Sequence, residues 1–153
     1  MTPSLALRYL SELSTDIRAA VLLDDNGSLV AGTPDDADRS RGLARLALEL
    51  LEAADQAAGS SEYPPVEQIE VSTGRGVVFA VRQAGGDRAG SARPTVDIEA
   101  TRAALHDQPA EGRAGGATGV GCTLAVVAGR FALSSLMFYD LRSVLADLEP
   151  VSS

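Results

Sequence analysis

The sequence predicts one domain of the mixed α/β (α+β) class with the element order α-β-β-α-β-β-β-α. Three observations carry that prediction. Apolar residues recur at helical spacing in three separate stretches, at the start, in the middle and at the end. Five apolar or alternating runs of strand length lie between those stretches, set apart by turn chemistry. A length of 153 residues suits a single core, which at this size buries about two thirds of the extended chain's surface.

The first helix is expected over Leu5 to Leu13, with Ala6, Tyr9, Leu10 and Leu13 as its apolar stripe and Arg8 and Glu12 outside it. Ile17 to Leu23 is an apolar run of strand length. Asp24-Asp25-Asn26-Gly27 follows, and its Asn-Gly pair favours the positive φ values of a tight hairpin turn into a second strand, Ser28 to Ala31. Gly32 to Asp38 is a loop of Pro and Asp that offers several helix N-caps. The long helix, Arg39 to Ala58, repeats apolar residues at Leu43, Leu46, Ala47, Leu50, Leu51 and Ala54. After the breaker Gly59 to Pro65, Ile69 and Val71 alternate with Gln68, Glu70 and Ser72, and Thr73-Gly74-Arg75-Gly76 turns the chain into a fourth strand, Val77 to Arg82.

Residues 83–121 break the composition. Alanine and glycine dominate there, and the large apolar side chains reduce to Val96, Ile98, Leu105 and Val120, too few to fill a core. The stretch is expected to be a flexible insertion on a hairpin, with Thr95 to Leu105 a transient helix within it. Thr123 to Ala128 then reads as a buried strand, and Leu133, Leu136, Met137, Leu141, Val144, Leu145 and Leu148 mark a closing amphipathic helix. The apolar stretch Cys122 to Tyr139 approaches membrane-spanning length, but Gly129 and Arg130 interrupt it, so strand, turn and helix account for it and no membrane insertion is expected.

Charge narrows the function classes. The formal net charge is −8 and every basic residue apart from the single histidine is an arginine, so the surface repels phosphate backbones and anionic lipid. No nucleic-acid partner is expected. The absence of lysine excludes a P-loop, a Schiff base and a kinase-type phosphate anchor. Cys122 is the single cysteine and has no internal disulfide partner, and Met1 to Leu13 lacks the basic start and apolar run of a signal peptide, so the expected home is the reducing cytoplasm.

No motif survives as a catalytic, cofactor or metal site. Gly116-Ala117-Thr118-Gly119-Val120-Gly121 resembles a phosphate loop only in composition, because such a loop follows a strand and opens a helix whereas these glycines precede a strand. Asp24, Asp25 and Asn26 lack the alternating oxygen ligands and closing glutamate of a calcium loop, and turn chemistry accounts for them. Asp35, Asp36 and Asp38 precede the long helix, where acids cap the first turn. His106 lies in the glycine-rich stretch, with nothing to hold it against a nucleophile. Cys122 reads as a small structural hydrophobe and Ser134 and Ser135 as caps of the last helix. The chain is therefore expected not to be an enzyme.

Apolar surface remains in excess. The long helix adds Ala44 and Leu48 beside its main stripe, more than one sheet face needs, and a surplus of this kind suits a partner. The third strand, with its polar alternation after Pro64-Pro65, suits a sheet edge whose backbone can pair with a second copy.

The order of elements, the hairpin Ala19 to Ala31, the alanine- and leucine-rich long helix, Val77 to Arg82 and the final helix Leu136 to Leu148 with Asp140-Leu141-Arg142 together resemble the roadblock family of dynein-light-chain and bacterial GTPase-regulator domains, whose strand-helix logic longin and profilin-like domains share. The insertion at residues 83–121 departs from the family's compact last hairpin. The resemblance implies a five-stranded antiparallel sheet with helices on both faces, and a homodimer built from the long helix and the neighbouring edge strand, with Ala44, Leu48, Leu51 and Glu70 near its axis. It also implies a partner: bacterial members bind Ras-like small GTPases as regulators, some of them activating hydrolysis, or as scaffolds, and the partner holds the nucleotide. The alternative functions are a profilin-like small-ligand sensor or a purely structural scaffold subunit.

Overall fold

Apolar stripes of two periods, one helical and one alternating, leave the chain a single way to bury both, which is to lay helices on a sheet. The computed structural model describes residues 1–33, 36–63, 65–83 and 121–148. Its elements are α1 (Pro3–Leu13), β1 (Ile17–Leu23), β2 (Leu29–Thr33), α2 (Ala37–Ser60), β3 (Gln68–Ser72), β4 (Val77–Arg82), β5 (Thr123–Ala128) and α3 (Ser134–Ala146). The five strands form one antiparallel sheet in the order β2-β1-β5-β4-β3. α1 and α3 lie on one face and α2 on the other. Element order and strand count agree with the reading from sequence. Residues 84–120 of the expected insertion, including Thr95 to Leu105 and His106, lie outside the described residues, as does Asp35, while Gln83 N bonds the Cys122 carbonyl at its base.

The face under α1 and α3 is closed. Ala20, Leu22, Phe79, Val81, Leu124 and Val126 point into it and meet Ala6, Leu7 and Leu10 of α1 and Met137, Leu141, Val144 and Leu145 of α3. Phe79, at the centre, makes an edge-to-face contact with Phe138 at 5.3 Å between ring centroids. The two helices run antiparallel: the N-terminal ammonium of Met1 donates to the Asp147 carbonyl at one end, and Gly129 N donates to the Asp16 carbonyl at the other.

Several expectations shift in detail. The buried stripe of α1 is Ala6, Leu7 and Leu10, and Tyr9 and Leu13 are exposed, because α1 carries two apolar stripes and the one containing Leu7 meets β1 and β2. In the first hairpin only Gly27 takes a positive φ, +82°. The Asp24 carboxylate accepts the amides of Asn26 and Ser28, and Gly27 N closes a turn on the Asp24 carbonyl, so a bulged turn with a register shift at Leu22 and Leu23 replaces the two-residue Asn-Gly turn. Asp36 caps α2 as expected, accepting from the amides of Asp38 and Arg39. α2 ends where Glu62 adopts φ +61° and Tyr63 N bonds the Ala58 carbonyl, a left-handed terminus that glycine ordinarily supplies. Ser134 does not cap α3. Leu133 holds the cap position without a side-chain bond, and Ser134 Oγ donates to Glu70 Oε1 at 2.8 Å.

Candidate protein-interaction surface

The face under α2 differs from its opposite because one helix covers it. Five strands spaced ~4.8 Å apart span roughly 20 Å, whereas a helix covers ~10 Å. Where α2 sits is fixed at both ends. Near its start, Ser40 lies against Gly32 of β2 so closely that a Cβ on Gly32 would fall 2.5 Å from Ser40 Oγ and 2.8 Å from Ser40 Cβ. Near its end, Asp55 Oδ1 accepts from Val66 N at 2.9 Å and Oδ2 from Arg82 Nη1 at 2.7 Å, in a half-buried ion pair. Between those ties Leu43, Ala44, Ala47 and Leu51 pack on Val21, Leu23, Ala80 and Ala125.

Part of this face stays open. Ala19, Val127, Ile69 and Val71 are only half-buried on the sheet. On one flank of α2, Leu46 is 42% exposed, Leu50 is half-buried and Ala53 is exposed, in line at three- and four-residue spacing. The adjoining edge is open as well. Arg82 N bonds the Glu67 carbonyl and Thr73 N bonds the Gly76 carbonyl, so Glu67, Ile69, Val71 and Thr73 turn their backbone groups toward β4. By antiparallel alternation, Gln68, Glu70 and Ser72 turn theirs off the sheet.

The four residues expected near a dimer axis do not share one surface. Ala44 and Leu51 are buried in the chain's own core. Leu48 is half-buried, 3.0 Å from where a Cβ on Gly27 would lie. Glu70 has its side chain on the opposite face, where Ser134 holds it, while its backbone occupies the middle of the open edge. Leu46 and Leu50, expected to face the sheet, lie on the open flank instead. Ser40 is the reason: a polar residue inside the buried arc escapes hydropathy, yet its fit to Gly32 turns the helix about its axis. A serine eight residues after a glycine at a strand end was the available signal.

Among the described residues no group of three His, Cys, Asp or Glu side chains is placed to hold a metal ion. A cleft of about 500 Å³ beside the first hairpin is lined by Asp24, Asp25, Glu52, Asp55 and Arg82, of which Asp24 already serves the turn and Asp55 and Arg82 the tie of α2. Cys122 precedes β5, half-buried, with Sγ 3.6 Å from Gln83 Oε1, and burial pushes its thiol pKa up, away from the thiolate that nucleophilic chemistry needs. No described helix is long and apolar enough to cross a membrane.

The Roadblock/LC7 domain model matches residues 7–86, more than half of the sequence and every element from most of α1 to β4. The chain belongs to the Roadblock/LC7 family. No curated protein matches it in sequence. Solved structures of the same fold include a Roadblock/LC7 domain from Streptomyces avermitilis, at TM-score 0.64 and 20% identity over 95% of this chain and 93% of that one. MglB of Myxococcus xanthus follows at TM-score 0.60 and 10% identity, over 94% and 88%. The gliding protein MglB of Thermus thermophilus matches at TM-score 0.57 and 12% identity, over 92% and 81%. These likenesses extend the Roadblock/LC7 architecture across β5 and α3, which lie beyond the family match.

Proposed function

We propose that this Roadblock/LC7 chain is a cytoplasmic homodimeric interaction protein that regulates or scaffolds a Ras-like small GTPase, the nucleotide being held by the partner. The observation that carries this reading is the half-covered sheet face continuous with an open β3 edge. Antiparallel pairing of two β3 edges about Glu70 joins two sheets into one, and brings Ile69, Val71, Leu46 and Leu50 under the second copy's α2. The resulting pair offers a broad helical surface made from both copies. The GTPase role rests on family membership and on a fold shared with MglB.

A regulator must bind the two nucleotide states with different affinity, because equal affinity shifts no equilibrium. Affinity capture from the protein's own lysate, in parallel with a non-hydrolysable GTP analogue and with GDP, tests this. Selective recovery of a small GTPase in one state supports regulation. Equal recovery in both leaves only the scaffold, and recovery of no GTPase in either removes the assignment.

A further inference from the structure

Arginines are distributed unevenly over this acidic protein. Arg8, Arg39, Arg41, Arg45 and Arg82 each pair with a carboxylate, Glu12, Asp36, Asp38, Glu49 and Asp55 respectively. Arg18, Arg75, Arg130 and Arg142 have no carboxylate within ion-pair distance among the described residues; Arg142 of α3 donates to Gln68 Oε1, and the other three are exposed at the same end of the sheet.

The topology gathers them. β1, β5 and β4 are neighbours, so the start of β1, the turn after β5 and the hairpin before β4 lie side by side. Arg18, at the register shift of β1, reaches across the end of β5 and donates from Nη1 to the Arg75 carbonyl at 3.0 Å. Its path crosses two glycines: a Cβ on Gly76 would lie 3.9 Å from Arg18 Nη1, and one on Gly129 would lie 4.0 Å from Nη2. Without side chains at those positions, the free edge of the guanidinium stays uncovered. Gly76 is also fixed by packing, since a Cβ there would come within 2.6 Å of the Ala128 carbonyl oxygen. Arg130 and Phe131 are the two central residues of a turn closed by Ala132 N on the Gly129 carbonyl at 3.2 Å. Phe131 is 89% exposed and Leu133, two residues on, is 68% exposed. One acid, Asp16, lies at this end, its Oδ1 3.9 Å from where a Cβ on Gly129 would be.

We propose that Arg18, Arg75, Arg130 and Phe131 form a docking site for an acidic segment of a partner protein, one that carries an aromatic or aliphatic side chain between its carboxylates. Guanidinium forks match carboxylates in bidentate geometry, and an exposed aromatic beside them accepts the apolar side chain. A nucleic acid fits less well, because the net charge of −8 repels a long phosphate backbone while leaving this local patch for a short acidic segment. The site uses none of the residues assigned to the β3 edge or the α2 flank, although Arg75 lies in the hairpin that follows β3, and it stands whether or not a GTPase is the partner.

The test uses the full chain and a labelled capped peptide, Glu-Asp-Leu-Phe-Asp-Glu, read by fluorescence anisotropy and by amide NMR. Saturable binding is expected, with amide shifts at Gly76, Gly129, Arg130 and Phe131 and none at the opposite hairpin, Asp24 to Gly27. The double variant Arg75→Glu/Arg130→Glu, in exposed turns, should weaken binding at least tenfold, whereas Arg8→Glu on α1 should leave it unchanged. Phe131→Ala should weaken this peptide and not its Glu-Asp-Gly-Gly-Asp-Glu counterpart. Absence of saturable binding to the wild-type chain, shifts confined to other regions, equal loss in Arg8→Glu, or tighter binding of an oligouridylate of equal charge would each overturn the proposal.

Discussion

The two faces of the sheet solve the same problem with different means. Under α1 and α3, two antiparallel helices bury the inward residues of β1, β4 and β5, while the polar β3 residues Gln68, Glu70 and Ser72 stay exposed on that face. Under α2, one helix covers the part of the sheet nearest β1 and β2 and is held by specific ties at its ends, Ser40 on Gly32 and Asp55 on Val66 and Arg82. Burial concentrates in the first face, and the second is where we propose that recognition takes place. A domain of this size can leave apolar sheet uncovered only if the closed face supplies enough burial to hold the fold, and here it supplies Phe79, Leu7, Leu10, Leu22, Leu124 and Leu141, all fully buried.

Substitutions should separate the two faces. The largest loss of stability is expected for Phe79→Ala on the closed face, about 3–5 kcal/mol by urea unfolding, from lost transfer energy and the cavity left under Phe138. Asp55→Ala should cost about 1–3 kcal/mol, because Val66 N and the half-buried Arg82 guanidinium both lose their acceptor. Asp36→Ala should cost about 1 kcal/mol through the two amides it caps. Glu62→Gly should be the smallest change and of opposite sign, a gain of roughly 0.5–1 kcal/mol, since glycine adopts φ +61° without strain. A Phe79→Ala cost no greater than that of Asp36→Ala would erase the contrast between the faces.

Much of this was legible in the sequence, and what was not has a physical cause. Strands β1, β4 and β5 follow from apolar runs, interrupted in β1 only by Arg18, and β3 from alternation that marks an edge. Helix boundaries came within a few residues, extended by caps such as Asp36 whose value lies in backbone amides rather than hydropathy. Helix phase was harder. α1 has two apolar stripes and α2 an apolar arc wider than the sheet needs, so hydropathy leaves the rotation of each open. Packing decides it, through Leu7 in one helix and the Ser40 and Gly32 contact in the other. The arginine end of the sheet was invisible for another reason: Arg18, Arg75 and Arg130 are far apart in sequence and meet only through strand order.

In the proposed dimer the half-covered face is completed by a second copy. Sedimentation velocity of the wild-type chain and of Ile69→Arg tests it directly, with urea unfolding of the variant as a check on its fold. The expected result is twice the chain mass for the wild type and a single chain mass for a folded Ile69→Arg, whose charge lies where two copies would meet. A wild-type chain that sediments as a monomer at micromolar concentration, or a folded Ile69→Arg that stays as dimeric as the wild type, would contradict it.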